Sequence, residues 1–201
     1  PTYQTSGGVA DTTSPFFNPS TTTIDKGSIT FSKGVISSLN VSEGSSAQLL
    51  GQLKSTVQGE AIRVTQLVLD VVVTGTGNAQ DVSNLVIKDA SGKSVAGPFD
   101  PSSTAGAERA TTTDTIIFPT GTNAYDVFGN LNSDFAANDT IQIQITDPDT
   151  LVTAKGEVTN QTVTANPTSD LSLDTVTVKT GGLNVSTTAS PAAQSVIVGA
   201  T

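Results

Sequence analysis

The chain has 201 residues, a formal net charge of -9 and a sequence pI of about 4.2, long enough for one hydrophobic core or one domain plus part of another. It contains no Cys, His, Met or Trp, which excludes disulfides, thiolate metal sites, thiol nucleophiles and any catalytic triad built on imidazole. The acidic field repels nucleic acid and anionic lipid, and no apolar run approaches the roughly 20 residues of a membrane span, so neither nucleic-acid binding nor membrane insertion is expected.

Residues 1–23, PTYQTSGGVADTTSPFFNPSTTT, read as a polar N-terminal tail. Phe16 and Phe17, set between Pro15 and Pro19, break that composition and are candidate anchors to the same domain or to a neighbour. Pro1-Thr2-Tyr3-Gln4 carries neither a basic nor an apolar region, so no signal peptide is expected there.

From Ile24 onward the pattern is β. Ile29 and Phe31 alternate with polar residues; Val35, Leu39 and Val41 follow more loosely, then Leu49, Leu50 and Leu53. In AIRVTQLVLDVVVTG, Ile62 and Val64 share one parity while Leu67, Leu69, Val71 and Val73 share the other. One strand can bury both sets only with a bulge near Thr65 and Gln66. DVSNLVIKDASGKSVAG reads as strand, turn at Ser91-Gly92, strand, with Val82, Leu85 and Ile87 inward. Residues 97–113 read as a long connection whose two prolines forbid a central strand, with one helical turn over residues 105–110. DTIIFPTG is a short strand stopped by Pro119.

Residues 121–139 read as a second loop region, with Tyr125, Phe128, Leu131 and Phe135 tucked inward. TIQIQIT is the cleanest strand, Ile141, Ile143 and Ile145 facing in. Asp147-Pro148-Asp149-Thr150 is a turn, and LVTAKGEVTNQTVTA supplies a last strand or hairpin through Gly156. Many short strands, with turn residues about every ten positions and no sustained helical period, predict an all-β fold. The expected form is an antiparallel Ig-like or jelly-roll-type β-sandwich over residues 24–166.

Residues 167–201 rewrite the opening. Val176-Thr177-Val178-Lys179 matches Ile29-Thr30-Phe31-Ser32, and Leu183-Asn184-Val185-Ser186 repeats Leu39-Asn40-Val41-Ser42 letter for letter. Ala193-Gln194, before a run ending in Gly199, echoes Ala47-Gln48 and Gly51. The spacing is about 145 residues, longer than common solenoid repeats. The segment is expected either to start a second sandwich or to act as a donor strand completing a neighbour's sheet. In the donor case Val176, Val178, Leu183, Val185, Val196 and Val198 form the inserted face. Ile29, Phe31, Leu39, Val41, Ile141, Ile143 and Ile145 form the receiving core.

Chemical motifs are few. Gly92-Lys93-Ser94 lacks the upstream glycine and the following helix of a phosphate loop, and reads as a hairpin turn. Asp147 and Asp149 resemble the start of a calcium loop, but Leu151-Val152 stands where that loop needs Asp or Asn and Gly. An irregular calcium site between sandwich loops is the remaining metal expectation, from Asp134, Asp139, Asp147 and Asp149; solvated turn carboxylates are the plainer reading. Asn40, Asn138, Asn160 and Asn184 begin N-glycosylation patterns, at a frequency chance supplies in a chain so rich in Ser and Thr. A carboxylate pair such as Asp70 with Asp81 has no glycosidase signature around it, and no enzyme activity or bound cofactor is expected.

The strand set RVTQLVLDVVVTGTGNAQDVSNLVIKDASGKSV, flanked by the two LNVS openings, resembles the Ig-like sandwich modules of bacterial and archaeal surface-layer and extracellular filament proteins. The likeness covers about residues 24–165 and the partial second copy. It implies a non-catalytic structural subunit of an extracellular or cell-surface assembly, partnered by copies of itself or by adjacent repeats through β-strand complementation. No surface-layer anchoring motif accompanies it, nor the long apolar helix of type IV pilins. The alternatives are an adhesion or ligand-binding module using loops 97–113 and 121–139, or a viral fibre or decoration domain.

Overall fold

The structure, a computed structural model, describes residues 26–102 and 108–180. In chain order the first strands are β1 (Ser28–Lys33), β2 (Asn40–Ser42), β3 (Gln48–Gln58), β4 (Ile62–Thr74), β5 (Val82–Asp89), β6 (Ser94–Phe99) and β7 (Arg109–Thr112). They are followed by β8 (Ile116–Phe118), β9 (Gly121–Leu131), β10 (Thr140–Ile145), a one-turn helix α1 (Pro148–Leu151), β11 (Thr153–Gly156), β12 (Thr162–Val163), β13 (Ala165–Asn166) and β14 (Leu171–Lys179). Two sheets pack face to face as a β-sandwich. The first has the order β13-β1-β3-β9-β5-β6, and the second contains β12, β11, β4, β10, β14 and β2, with β7 and β8 also on β4.

β4 is the spine of the second sheet. Arg63 lies opposite both Ile117 and Lys155, and Asp70 opposite both Arg109 and Gln144, so β4 is paired along both sides. β7 and β8 form one interrupted strand on one side; β10 and β11, interrupted by α1, form the other. The expected bulge is present. Val64 pairs with Ala154 and Gln66 with Thr153, so Thr65 is skipped and the strand changes parity there. Ile62 and Val64 on one side of the bulge, and Leu67, Leu69 and Val71 on the other, consequently all reach the same core. Ile141, Ile143 and Ile145 of β10 are fully buried, as their alternation predicts.

Two segments close one flank. β1 and β2 carry the chain from the first sheet to the second, and β13 and β14 do the same; β13 pairs parallel with β1, and β14 pairs parallel with β2. The Asp174 carboxylate staples this crossing, accepting Lys33 Nζ at 2.8 Å and the Ile36 amide at 3.4 Å. Between the sheets Gly51 faces Leu173, and a Cβ built there would lie 2.9 Å from Leu173 Cδ1, so the close approach of β3 and β14 needs glycine. Phe31, Phe118 and Tyr125 stack edge to face across the interior, with centroids 5.6 and 4.9 Å apart.

Several expectations change. β14 is an ordinary member of its own sandwich, bonded to β10 and β2, with Leu173, Val176 and Val178 buried. The domain therefore runs through Lys179 rather than ending at residue 166, and Val176 and Val178 are not an inserted face offered to a neighbour. Residues 121–131 are not a loop but β9, an eleven-residue strand between β3 and β5. Its inward set is Tyr125, Val127, Gly129 and Leu131; Phe128 faces outward with Lys88 Nζ 4.7 Å from its ring centroid. Arg109 and Ala110 lie in β7 rather than in a helical turn. The expected turn at residues 147–150 is instead the start of α1, entered through Asp147 at φ 41°. Leu39 is 49% exposed and lies outside the core. Pro98 sits on the edge strand β6, where its missing N–H costs no ladder bond.

Burying Leu173, Val176 and Val178 is worth about 1.5–3 kcal/mol each. Together they approach the net stability of a whole domain, roughly 5–15 kcal/mol. Deleting residues 168–201 is expected to abolish the cooperative transition in urea. A sharp transition surviving that deletion would show that β14 does not hold the sandwich together.

Candidate functional site: two poles and an open flank

The strand directions place the chain's entry and exit at opposite ends. Lys26 and Gly27 precede β1, whose Ser28 pairs with Gln58 at the far end of β3, beside the turn at Gly59 and Glu60. Lys179 ends β14 beside Asn138 and Glu43, near the start of β3: Lys179 Nζ donates to Asn138 Oδ1 at 3.2 Å, and its carbonyl accepts the Glu43 amide at 3.4 Å. The eleven residues of β3 span about 36 Å between these poles.

Each pole is organised by one carboxylate. At the entry pole Glu60 accepts the Val158 amide at 2.6 Å, the Thr159 amide at 2.9 Å, the Thr159 hydroxyl at 2.5 Å and the Gly27 amide at 3.4 Å. The Thr159 bonds lead in holding its carboxyl down to about 2, against an ordinary 4.5. The turn it pins presents Val158, which is 84% exposed. At the exit pole Asp139 accepts the amides of Ala136, Thr76 and Gly77 at 2.9, 3.1 and 3.1 Å and the Thr76 hydroxyl at 3.0 Å. The Ala136 bond is the main cause of its lowered pKa. A Cβ on Gly75, at φ 134°, would collide with the Asp139 carboxylate. Asp89 does similar work in the β5–β6 turn, lowered first by the Ser91 hydroxyl, and Asp174 on the closed flank is lowered first by Lys33.

The four carboxylates considered for calcium do not converge. Asp134 and Asp139 precede β10, Asp147 and Asp149 follow it, and that six-residue strand is about 20 Å long. Asp139 already accepts four hydrogen bonds, and the Asp147 amide donates to Asp170 at 3.0 Å. Among the described residues no group of three or more His, Cys, Asp or Glu is placed to hold a metal ion. Of the assembly candidates, Val176 and Val178 are interior; Phe16, Phe17, Leu183, Val185, Val196 and Val198 lie outside the described residues.

The other flank is less closed. The first sheet ends there in β6 and the second in β7 and β8, joined by a bridge between Pro101 and Ala110 and by the Gly97 amide on Asp114 at 2.7 Å. Toward the entry pole the edges part around a groove of about 540 Å³, lined by apolar Val95, Ile117, Pro119 and Tyr125 and by polar Asp89, Lys93, Ser94 and Asn123. A second hollow of about 450 Å³ on the outer face of the second sheet is lined by Arg63, Thr65, Thr115, Thr153, Lys155 and Asn160. Arg63 is committed there, to Glu157 at 3.5 Å and Asn160 at 3.1 Å. The described carboxylates with resolved shifts all move downward, away from the protonated state a general acid needs near neutral pH. No helix among the described residues is long and apolar enough to cross a membrane.

No protein-family model matches the chain. No curated protein matches it. Solved structures give distant likenesses. AvmM, which catalyses macrocyclization in alchivemycin A biosynthesis, aligns over 79% of this chain and 91% of its own at 9% identity and a TM-score of 0.34. Self-complemented MyfA, the major subunit of Myf fimbriae from Yersinia enterocolitica, aligns over 76% and 98% at 16% identity and a TM-score of 0.28. One is an enzyme and the other a fimbrial subunit, and at these scores neither role transfers.

Because Glu60 is depressed in the folded state, its stabilisation is complete above about pH 4.5 and is lost as pH falls toward 2. Thermal melts across that window should fall more steeply for the parent chain than for Glu60→Gln. Parallel curves would remove Glu60 as the acid-sensitive anchor of the entry pole.

Proposed function

We propose that this chain is a non-catalytic structural subunit of an extracellular assembly, a filament or surface layer, whose copies or adjacent repeats join head to tail. The observation that supports this most is the placement of chain entry and exit at opposite poles of a sandwich about 36 Å long. Modules connected that way add length along one axis, and a head-to-tail contact whose rotation does not close builds an open filament rather than a ring.

The flanks support the same direction of growth. β2 and β8 have three residues, β12 and β13 have two, β6 carries Pro98 and Pro119 follows β8. Short or proline-bearing edges resist sideways sheet extension. The joint is made by the chain beyond Thr180, where Leu183, Val185, Val196 and Val198 supply alternating apolar residues for strand complementation in the next module. The carboxylates that shift serve as loop anchors, which favours a structural over a catalytic role. A chain rich in Thr and Ser and free of Cys and Met suits an oxidising exterior. The ligand-binding alternative is weakened because residues 121–131, half of its second loop, are a central strand.

Removing residues 181–201 leaves every described strand in place. The shortened chain should melt like the parent yet stay monomeric by light scattering, while the full chain forms concentration-dependent linear species visible by electron microscopy. A full chain that is monomeric at all concentrations, or a shortened one that associates equally well, would overturn the proposal.

A further inference from the structure

The groove between β6 and β8, about 540 Å³, has the size of a small-molecule site. Its lining is neither a hydrophobic slot nor a charged one. Val95, Ile117, Pro119 and the Tyr125 ring supply apolar surface, and Asp89 and Lys93 oppose each other in charge. Ser94, Thr115 and Asn123 add neutral donors and acceptors. Much of this polar capacity is unused. Asp89 Oδ1 accepts the Ser91 amide, the Ser91 hydroxyl and the Lys93 amide at 2.9, 2.6 and 3.1 Å, while Oδ2 accepts nothing among the described residues. Those bonds, the Ser91 hydroxyl first, keep the carboxyl ionised, so Oδ2 stands as an open acceptor. Asn123 Nδ2 donates to the Pro119 carbonyl at 3.2 Å, and its Oδ1 accepts nothing among the described residues. The Ser94 and Thr115 hydroxyls have no partner among the described residues either.

Polarity continues from the groove into the core. Asn123 and Tyr125 share the inward face of β9, and Ser55 of β3 lies directly opposite Asn123. Ser55 is one of three buried polar or charged residues among those described; Thr112 and Asp139 are hydrogen-bonded, whereas Ser55 Oγ has no hydrogen bond of normal geometry. Burial pushes the Tyr125 hydroxyl up, and Ser55 is near enough to draw it part of the way back. An unpaired hydroxyl behind a cavity wall costs stability that packing alone does not return.

We infer that this groove is a binding site for a neutral, hydroxyl-rich ligand of mono- or disaccharide size. A pyranose ring has an apolar C–H face and a rim of hydroxyls that each donate and accept. The face packs on Tyr125, Val95 and Pro119. The rim donates to Asp89 Oδ2 and Asn123 Oδ1 and accepts from the Ser94 and Thr115 hydroxyls, with the Tyr125 phenol at the inner end. A charged ligand would meet a like charge at Asp89 or Lys93, and an apolar one would leave the polar lining desolvated and unpaired. Every residue invoked belongs to one subunit, so the site does not depend on the head-to-tail reading and is complete in a monomer.

An NMR titration of the full chain with maltose, cellobiose, lactose and diacetylchitobiose, each to about 20 mM, tests the site. At least one should move the amide resonances of residues 89–95 and 123–125 saturably, with a Kd on the order of 1 mM. Tyr125→Phe keeps the aromatic stack and removes only the phenol oxygen; Asn123→Ala removes the amide. Each should weaken binding about fivefold, as the loss of one neutral hydrogen bond does. Ser94→Trp fills the groove from an exposed position on β6 and should abolish binding while leaving the melting curve of the parent. No saturable shift with any of the four sugars, shifts confined to residues outside the groove, unchanged affinity in all three variants, or tighter binding of glucuronate or of indole would each overturn the inference.

Discussion

Two stretches of chain cross from one sheet to the other side by side and in the same direction, and that parallel crossing governs the rest of the molecule. β1 and β13 lie together in the first sheet, β2 and β14 in the second, and Asp174 ties the first crossing to the second through Lys33 and the Ile36 amide. An antiparallel crossing would have returned the chain to its starting end. The parallel one sends it out at the far pole, and the end-to-end reading rests on this before any terminal residue is considered.

The same crossing accounts for part of the internal echo. β1 and β14 perform one task in opposite sheets: each runs toward the exit pole, presents two alternating apolar residues to the shared core, and pairs in parallel with the other crossing segment. Ile29 and Phe31 in one, Val176 and Val178 in the other, meet the same physical demand, so the sequences read alike. From the string alone this similarity suggested an unfinished second unit. The resemblance lies in the environment shared by two members of one sandwich, at least as far as Lys179.

How much was legible depended on whether the signal was local. The isoleucines of β10 announce their strand by strict alternation, and the parity change in β4 locates the bulge at Thr65 because an apolar set cannot otherwise stay in one core. β9 was hidden by its composition. Gly121, Asn123, Gly129 and Asn130 are turn formers, yet Gly129 is an inward strand position, where a Cβ would lie 2.8 Å from Leu50 and 3.2 Å from Leu85. The anchoring carboxylates were illegible for another reason. Glu60 meets Thr159 across 99 positions and Asp174 meets Ile36 across 138, and no spacing rule connects such pairs. Asp139 stood out in the sequence as a metal ligand because it is an acid in a loop. Its neighbours turned out to be backbone amides that use the same lone pairs.

The antipodal placement of Lys26 and Lys179 sets the direction in which a pull on both would act. A tether pulling on both would act along the strands, across the rungs joining β1 to β3 and β14 to β10. Tension then falls on many rungs at once instead of peeling them one after another. Rungs loaded together in this way yield less readily than rungs opened one by one from an end.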